Sequence, residues 1–172
     1  PTSFFTTHSF IHFSLLLLLT GMTKAHFDLD AEMWGMPGFN SMTDRSGCTS
    51  VTALVSDSHI IVSNSGDSRS VLGTNNSFRP MSFDHKPYNQ KEQERIVAAG
   101  SSVSMRRVNG DLAVSRAFGD FCYKQAKNVT AAAQAVTVDP EYQEHERSDS
   151  DEFLILACDG IWDVMSNEEC SA

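Results

Sequence analysis

β-branched and apolar residues are grouped into short runs along the middle of the chain, and turn-forming residues separate these runs. Residues 49–55 and 59–65 flank Ser56-Asp57-Ser58 and predict two strands joined by a tight turn. Further short strands are predicted at residues 70–72, 78–81, 102–108, 112–114, 136–138 and 142–145. Asn109-Gly110 readily takes the left-handed conformations of a type I′ turn, so the strands on either side of it predict a second hairpin. The pattern indicates mainly antiparallel sheet.

Helical signals interrupt this strand pattern at two places. Residues 90–99 follow Asn89, a good N-cap, and place Ile96 and Val97 on one apolar face. Residues 25–33 predict a second, shorter amphipathic helix. Helices and antiparallel strands in one chain indicate an α+β protein.

The last third of the chain holds its most hydrophobic run outside the N-terminus. Residues 153–158 read Phe-Leu-Ile-Leu-Ala-Cys and predict a buried central strand. Ser166 and Glu169 have the spacing of a capping box, which predicts a helix beginning at this point.

The N-terminal apolar run is harder to interpret. Residues 10–19 include five consecutive leucines, but a membrane-spanning helix needs about 20 apolar residues. A secretory signal, a buried helix and non-native sequence are the three alternatives. No basic residue precedes Lys24, which argues against a secretory signal, and of the other two non-native sequence is favoured. We therefore leave residues 1–23 unassigned and assign residues 24–172 to one domain.

Composition restricts the classes of function. A length of 172 residues with 41% hydrophobic content suits one domain with a core of its own. The formal net charge of -9 excludes a nucleic-acid-binding protein, which would need clustered Lys and Arg. The four cysteines are widely spaced, so we expect free thiols, a reducing compartment and a cytoplasmic or nuclear location, with secretion as the alternative.

Three aspartates are candidate metal ligands. Asp159 follows the apolar run 153–158 and precedes a glycine, Asp163 lies four residues further on, and Asp44 precedes the first predicted strand. Carboxylate oxygens are the ligands that Mg²⁺ and Mn²⁺ prefer, so three converging carboxylates would suit either ion. The alternative is that Asp159-Gly160 simply forms a hairpin turn between residues 153–158 and 161–165.

Four basic side chains allow two interpretations each. Arg69, Arg107 and Arg116 can bind phosphate bidentately, although single arginines more often form structural ion pairs. His85 can act as a general acid or can form a hydrogen bond within its loop. The residues alone do not separate these roles.

Five dispersed motifs together resemble the PPM family, the type 2C metal-dependent serine/threonine phosphatases. They are Asp44-Arg45-Ser46-Gly47, Gly66-Asp67-Ser68-Arg69, Asp84-His85-Lys86-Pro87, Leu112-Ala113-Val114-Ser115-Arg116-Ala117 with Gly119-Asp120, and Ala157-Cys158-Asp159-Gly160-Ile161-Trp162-Asp163-Val164. Their order along the chain matches that of the family, and the last two are the most specific.

The resemblance implies a fold, a cofactor and a reaction. The fold would be a four-layer α-β-β-α sandwich of two antiparallel sheets flanked by helices. Two Mn²⁺ or Mg²⁺ ions, with a possible third, would bind at the sheet edges, and a water bridging two ions would attack phosphoserine or phosphothreonine. By motif match, Asp159 would bind the metal pair, while Asp44 and Asp163 would bind the weaker third ion and Arg107 would line that region. Phosphorylated proteins would be the substrates of a monomeric enzyme that is not membrane-bound.

Parts of the family pattern are missing from this sequence. It has no Asp-Gly-His-x-Gly segment, no upstream phosphate-binding arginine with its Glu-Asp, and no Asp-Asn near a C-terminal strand. We therefore expect an incomplete catalytic domain that is inactive by itself. The alternative is a short product that keeps the scaffold as a non-catalytic binding or regulatory module.

Overall fold

The computed structural model describes residues 7–75 and 77–171, with side chains from residue 15 onward. Asn75-Asn76 in the sequence predicts a turn, and Asn76 lies outside these residues. The α-helices within these residues are α1 (Thr7–Trp34), α2 (Gln90–Ala98), α3 (Asp159–Trp162) and α4 (Asn167–Ser171), and two short 3-10 helices lie at Phe121–Tyr123 and Ala131–Ala133. The strands are β1 (Gly47–Cys48), β2 (Ser50–Val55), β3 (His59–Ser65), β4 (Arg69–Thr74), β5 (Ser77–Pro80), β6 (Val103–Ser104), β7 (Arg107–Val108), β8 (Phe118–Gly119), β9 (Glu141–Glu146) and β10 (Asp151–Ala157).

Two three-stranded antiparallel sheets form the centre of the molecule. Their strand orders are β2-β3-β9 and β10-β4-β5, and the predicted hairpin of residues 49–65 is confirmed as β2 and β3. Ile60 and Val62 of β3 pack with Leu72 of β4 and with Met81 in a buried cluster. Because this cluster draws on both sheets, it joins them, and helices flank the pair. The predicted α+β class is confirmed.

A second core lies under α2. Ile96, Val108, Ala117, Ala135 and Val136 form this buried cluster. The helix was predicted at this place, but Val97 was assigned to the wrong face: its side chain is 57% exposed, whereas Ile96 is fully buried. A single apolar position per turn suffices here because charged side chains supply the other contacts of α2.

Those contacts centre on Glu92, which is buried on α2. Its carboxylate accepts hydrogen bonds from Ser115 Oγ at 2.6 Å and from Arg116, whose Nη2 lies 2.6 Å from Oε1. Arg95 Nη1 lies 2.8 Å from Glu92 Oε2 and Arg95 also donates to the carbonyl of Ser115. Burial alone would raise the pKa of Glu92, but the two arginines outweigh burial and lower this pKa to about 2.

The second predicted hairpin differs in detail from the structure. β6 and β7 pair with each other, and Met105 and Arg106, both at positive φ, form their turn. Asn109 and Gly110 do adopt left-handed conformations, but Leu112 beyond them forms only an isolated bridge to Val108. The predicted strands at residues 112–114 and 136–138 are therefore wrong, because their buried side chains pack against α2 instead of extending a ladder.

The prediction of a buried central strand at residues 153–158 is also wrong. β10 is an edge strand that pairs with β4 alone, and the side chains of Phe153 and Leu156 are 42% and 40% exposed. A hydrophobic sequence shows that a strand is able to be buried, but not that it is. Among the described residues, no strand pairs with the second edge of β10.

Helix α1 is continuous through the boundary at residues 23 and 24 and includes the predicted helix at residues 25–33. Leu16 and Leu17 are exposed, whereas Asp30 is buried and accepts hydrogen bonds from Gly119 N and Lys124 Nζ. These bonds fix the C-terminal half of α1 to the rest of the protein. No helix among the described residues is long and apolar enough to cross a membrane.

Candidate metal centre

The end of β10 and the start of β4 form one corner of the second sheet. The two strands are antiparallel, and their ladder ends where Ala157 pairs with Arg69. Asp159 begins α3 two residues after Ala157, and Asp67 lies two residues before Arg69. Asp159 and Asp67 therefore lie at the same end of this strand pair. The register thus puts at the same end of one strand pair two residues that are 92 positions apart in the sequence.

Asp159 is the first residue of α3, so the hairpin-turn interpretation of Asp159-Gly160 is wrong. Asp163 N donates to the carbonyl oxygen of Asp159 at 2.8 Å, and this helical turn puts both aspartates on one side. Both side chains are exposed. Trp162 is buried, and its indole N–H donates to the Ala157 carbonyl at 2.7 Å, which fixes α3 against the end of β10.

Arg69 connects three segments at this corner. Its Nε and Nη2 donate to the two carboxylate oxygens of Asp84 at 2.8 and 3.0 Å, and Nη1 donates to Asn167 Oδ1 at 2.8 Å. Its guanidinium lies 5.2 Å from the Trp162 ring centre. The Asp84 hydrogen bond raises the pKa of Arg69, and the charge of Asp163 acts in the same direction. The bidentate ion pair shows a structural role for Arg69.

Lys86 neutralises Asp67 at the same corner. Lys86 Nζ lies 2.5 Å from Asp67 Oδ2, and the Asp67 side chain is only 8% exposed. Burial would lower the pKa of Lys86, but its hydrogen bond to Asp67 and the charges of Asp67 and Asp84 outweigh burial and raise this pKa. The corner thus holds Asp67, Asp84, Asp159 and Asp163 against two cations.

His85 is a structural residue of the loop that carries Lys86. It is 3% exposed, its Nδ1 accepts a hydrogen bond from Gly66 N at 3.2 Å, and its own N–H donates to the Gly66 carbonyl at 2.9 Å. Because Nδ1 is the acceptor, the ring proton is on Nε2, which faces Glu141 Oε2 at 3.4 Å. The hydrogen-bonded loop role is the one observed.

The other two candidate arginines lie elsewhere. Arg116 is buried in the Glu92 network and also contacts Glu141, so its ion pairs are structural. Arg107 is exposed and donates from Nη1 to the Asp111 carbonyl at 2.6 Å. It lines a cavity of about 350 Å³ with Arg45, Asp111 and Asp120. Neither arginine contacts the corner formed by Asp67 and Asp159.

Asp44 stands apart from the other two predicted ligands. It is exposed between α1 and β1, and its Oδ1 accepts hydrogen bonds from the hydroxyl and the backbone N–H of Ser46, which lower the pKa of Asp44. In residues 7–75 and 77–171, its side chain makes no hydrogen bond or ion pair with Asp159 or Asp163. Across the same residues, no three His, Cys, Asp or Glu side chains are grouped closely enough to hold a metal ion by themselves.

Comparison with known proteins decides which family this arrangement represents. The sequence profile of the family described as Protein phosphatase 2C matches residues 11–171. The chain belongs to the protein phosphatase 2C family. The match begins inside the N-terminal apolar run and reaches α4, so all of the corner residues lie within it.

Individual type 2C phosphatases support this assignment. The chain is 52% identical over 123 residues to Protein phosphatase 2C homolog 2 of Aspergillus flavus, which covers 72% of this chain and 28% of that protein. It is 48% identical over 149 residues to human Protein phosphatase 1B, covering 87% of this chain and 31% of that protein. The chain therefore spans about a third of the length of these relatives.

Solved structures of this family show the same fold. A serine-threonine phosphatase 2C from Toxoplasma gondii superposes with a TM-score of 0.76 at 25% identity, over 97% of this chain and 58% of that one. A second Toxoplasma gondii phosphatase matches with a TM-score of 0.56 at 40% identity, over 59% of this chain and 32% of that one. The sandwich expected from the motifs is confirmed in part of its extent.

Asp67 is the corner residue that the sequence analysis did not select. It stands there only within the motif Gly66-Asp67-Ser68-Arg69, and an aspartate after glycine is common in turns. Its burial, its ion pair with Lys86 and its position beside Asp159 depend on the pairing of β4 with β10. The one available signal was its place within a family motif.

Proposed function

We propose that the protein containing this chain hydrolyses phosphoserine and phosphothreonine in other proteins, and that a Mg²⁺ or Mn²⁺ ion binds at Asp159 with Asp163 and Asp67. The family assignment supports the reaction class. The observation that carries the site is the strand register that places Asp159 and Asp67 at one end of β4 and β10. Asp44 is part of the proposal as a further ligand from the β1 side.

The chemistry of the donors suits a hard divalent cation. The corner supplies carboxylate oxygens, which Mg²⁺ and Mn²⁺ prefer, whereas the neighbouring Cys158 thiol is a soft donor that suits neither ion. Asp159 has no hydrogen-bond or ion-pair partner for its carboxylate among residues 7–75 and 77–171, so it is free to bind. A divalent ion held there would act as a Lewis acid that activates water and neutralises charge on the phosphoryl group.

The neighbouring residues hold this corner in place. Trp162 fixes the start of α3, and Arg69 fixes the start of β4. The neighbouring carboxylates of Asp159, Asp163 and Asp67 are therefore held by packed backbone and not by a free loop. Arg69 keeps its guanidinium on Asp84 and Asn167, which leaves Asp163 exposed for a ligand. Preorganised carboxylates bind a divalent ion without first having to be ordered.

We further propose that residues 1–172 alone have no phosphatase activity. The absence of a three-residue metal cluster among the described residues supports this, since a tight Mg²⁺ or Mn²⁺ site needs more ligands than the corner provides. Action as a monomer in the cytosol or nucleus belongs to the same proposal. The four free thiols support a reducing compartment.

The decisive experiment measures Mn²⁺-dependent phosphate release from a phosphothreonine peptide. The protein extended to the length of its relatives is compared with residues 1–172 and with Asp159→Asn in the extended protein. Asp57→Asn, in the exposed turn between β2 and β3, is the matched control. We expect activity only in the extended protein and its Asp57→Asn variant. Phosphopeptide binding without phosphate release by the extended protein would support the non-catalytic module instead.

A further inference from the structure

Two exposed aromatic side chains form a surface that neither the motifs nor the proposed reaction uses. Phe83 and Tyr88 line a groove of about 360 Å³, and their side chains are 57% and 41% exposed. Arg69, which also lines the groove, is already paired with Asp84. The groove therefore presents apolar area that the fold does not bury.

Backbone hydrogen bonds hold both aromatic residues in place. Asn64 Nδ2 donates to the carbonyl oxygen of Phe83 at 3.0 Å. Asn89 N donates to the Lys86 carbonyl at 3.0 Å and so closes a turn that has Tyr88 at its third position. Because the two rings are displayed by ordered backbone, a partner does not have to order them on binding.

The turn between β6 and β7 adds a positive charge to this groove. Met105 and Arg106 form the turn at φ angles of 50° and 64°, which Asn and Gly adopt far more readily. The Met105 side chain is 87% exposed, and the Arg106 guanidinium lies 3.7 Å from the centre of the Tyr88 ring. The turn thus displays two long side chains in a strained conformation, and such strain is typical of segments that bind ligands.

Charge indicates which partner this surface fits. Within residues 7–75 and 77–171, neither Arg106 nor its neighbour Arg107 forms an ion pair with a carboxylate. Both side chains are exposed, in a chain whose formal net charge is -9. Charge complementarity favours an acidic partner and disfavours a second copy of this acidic chain. Tyr, Phe, Met and Arg are also the residues that are enriched at protein interfaces.

We propose that the groove and the β6–β7 turn form a docking surface for an acidic segment of a partner protein. An apolar side chain of that segment packs between Phe83 and Tyr88, and a neighbouring carboxylate binds Arg106. The surface is separate from the proposed metal centre, since neither Asp159 nor Asp163 lines the groove. The inference therefore stands independently of the proposed reaction.

The first test measures the binding of a fluorescent probe peptide, Glu-Asp-Glu-Leu-Asp-Glu-Asp, to the extended protein. Anisotropy is recorded in EDTA, so that the result does not depend on a metal ion. One comparison peptide has Gly in place of Leu, and another has Lys in place of every acid. We expect a Kd of about 10–100 µM for the acidic Leu peptide and roughly tenfold weaker binding of the other two. No binding of this peptide, or equal binding of the Lys peptide, would overturn the proposal.

Matched variants locate the binding site. Arg106→Glu and Tyr88→Ala are each expected to weaken binding of the acidic peptide roughly tenfold, because they remove the charge and the apolar wall of the groove. Lys127→Glu makes the same change of net charge in an exposed loop and should bind as the wild type does. Equal losses in Arg106→Glu and Lys127→Glu would reveal only general charge attraction and would refute the docking surface.

Hydroxyl-radical footprinting of the wild type provides a test without any variant. Saturating acidic peptide should reduce the oxidation of Met105 and Tyr88 several-fold and leave Met36, exposed beyond the end of α1, unchanged. Unchanged oxidation of Met105 and Tyr88 would contradict binding at this surface. A dimer that dissociates when the peptide is added, seen by sedimentation, would assign the surface to a second copy and overturn the acidic partner.

Discussion

Gly47 lies directly against the carboxylate of Asp120. A Cβ atom on Gly47 would stand 2.1 Å from Asp120 Oδ2 and 2.7 Å from the carbonyl oxygen of Phe118. The contact follows from the pairing of β1 with β8, in which Gly47 is opposite Gly119. The contact joins β1, which follows α1, to β8 and Asp120. No side chain fits between Gly47 and the Asp120 carboxylate.

Gly47→Ala is expected to destabilise the protein. The new methyl group meets backbone as well as a buried carboxyl, so β1 and β8 must separate, at a cost of about 1–3 kcal/mol. Urea unfolding at pH 7 measures the change. Gly21→Ala is the control, because a Cβ there meets nothing within 4 Å and alanine favours α1. Equal stability of the two variants would contradict the close contact at Gly47.

Asp120→Asn is expected to increase stability at neutral pH. Burial raises the pKa of Asp120 from 3.8 to about 6, and the nearby Lys124 only partly offsets this effect. A raised carboxyl pKa means that stability is lost as pH rises from 3.8 through 6, when the folded state must ionise a buried acid. The gain should approach about 3 kcal/mol at pH 7 at most and disappear near pH 3.8. Unfolding of both proteins across this range gives the difference, and a gain independent of pH would contradict the assignment.

Glu92→Gln is expected to destabilise the protein by about 3–5 kcal/mol at pH 7, since it removes the buried counter-ion of Arg116 and Arg95 and leaves Arg116 only the half-exposed Glu141. The folded-state pKa of Glu92 is about 2, below its usual 4.5. Its contribution is therefore complete above pH 4.5 and decreases as pH falls from 4.5 towards 2. Chemical unfolding at pH 7, 4.5 and 3 should show the two proteins converging. Glu94→Gln, exposed on the same helix, should match the wild type at each pH.

Asp30→Ala is expected to release the C-terminal half of α1. Asp30 accepts hydrogen bonds from Gly119 N and from Lys124 Nζ, whose side chain is 8% exposed, so the variant leaves a buried cation unpaired. The cost should be about 3–5 kcal/mol, seen as a lower melting temperature and as faster amide exchange in α1. Asp28→Ala removes an exposed ion pair with Lys24 on the same helix and should cost less than about 1 kcal/mol. Similar losses in both variants would contradict the role of Asp30.

Local sequence signals predicted the elements whose causes are local. The capping box at Ser166 and Glu169 is observed, with Ser166 N donating to Glu169 Oε2 at 2.8 Å and Glu169 N donating to Ser166 Oγ at 3.2 Å. The left-handed turn at Asn109-Gly110 is observed as well. Both depend on backbone conformation and hydrogen bonds within four residues, and neighbouring sequence contains all the partners.

Predictions that depended on distant neighbours were less successful. Residues 153–158 are hydrophobic enough for a central strand, yet β10 is at an edge, because the number of partners of a strand is not encoded in its own pattern. Val97 was predicted to share the apolar face of Ile96, but its side chain faces solvent. The buried side of α2 is the one that carries Ile96 and the Glu92 network. Asp44, Asp159 and Asp163 remain predicted ligands, of which the structure brings the last two together.

The sequence by itself determined the family, the α+β class, the start of α2 and of α4, and Asp159 as the residue of interest. These follow from short motifs, turn chemistry and periodicity, which act over a few residues. Only the tertiary structure decided that Asp67 and Asp159 follow the same end of one strand pair, that Lys86 neutralises Asp67, and that Arg69, His85 and Arg116 are structural. These depend on the pairing of β4 with β10, on the packing of the 84–87 loop and, for Arg116, on the packing of α2, and the energy of such contacts comes from burial between segments far apart in the chain.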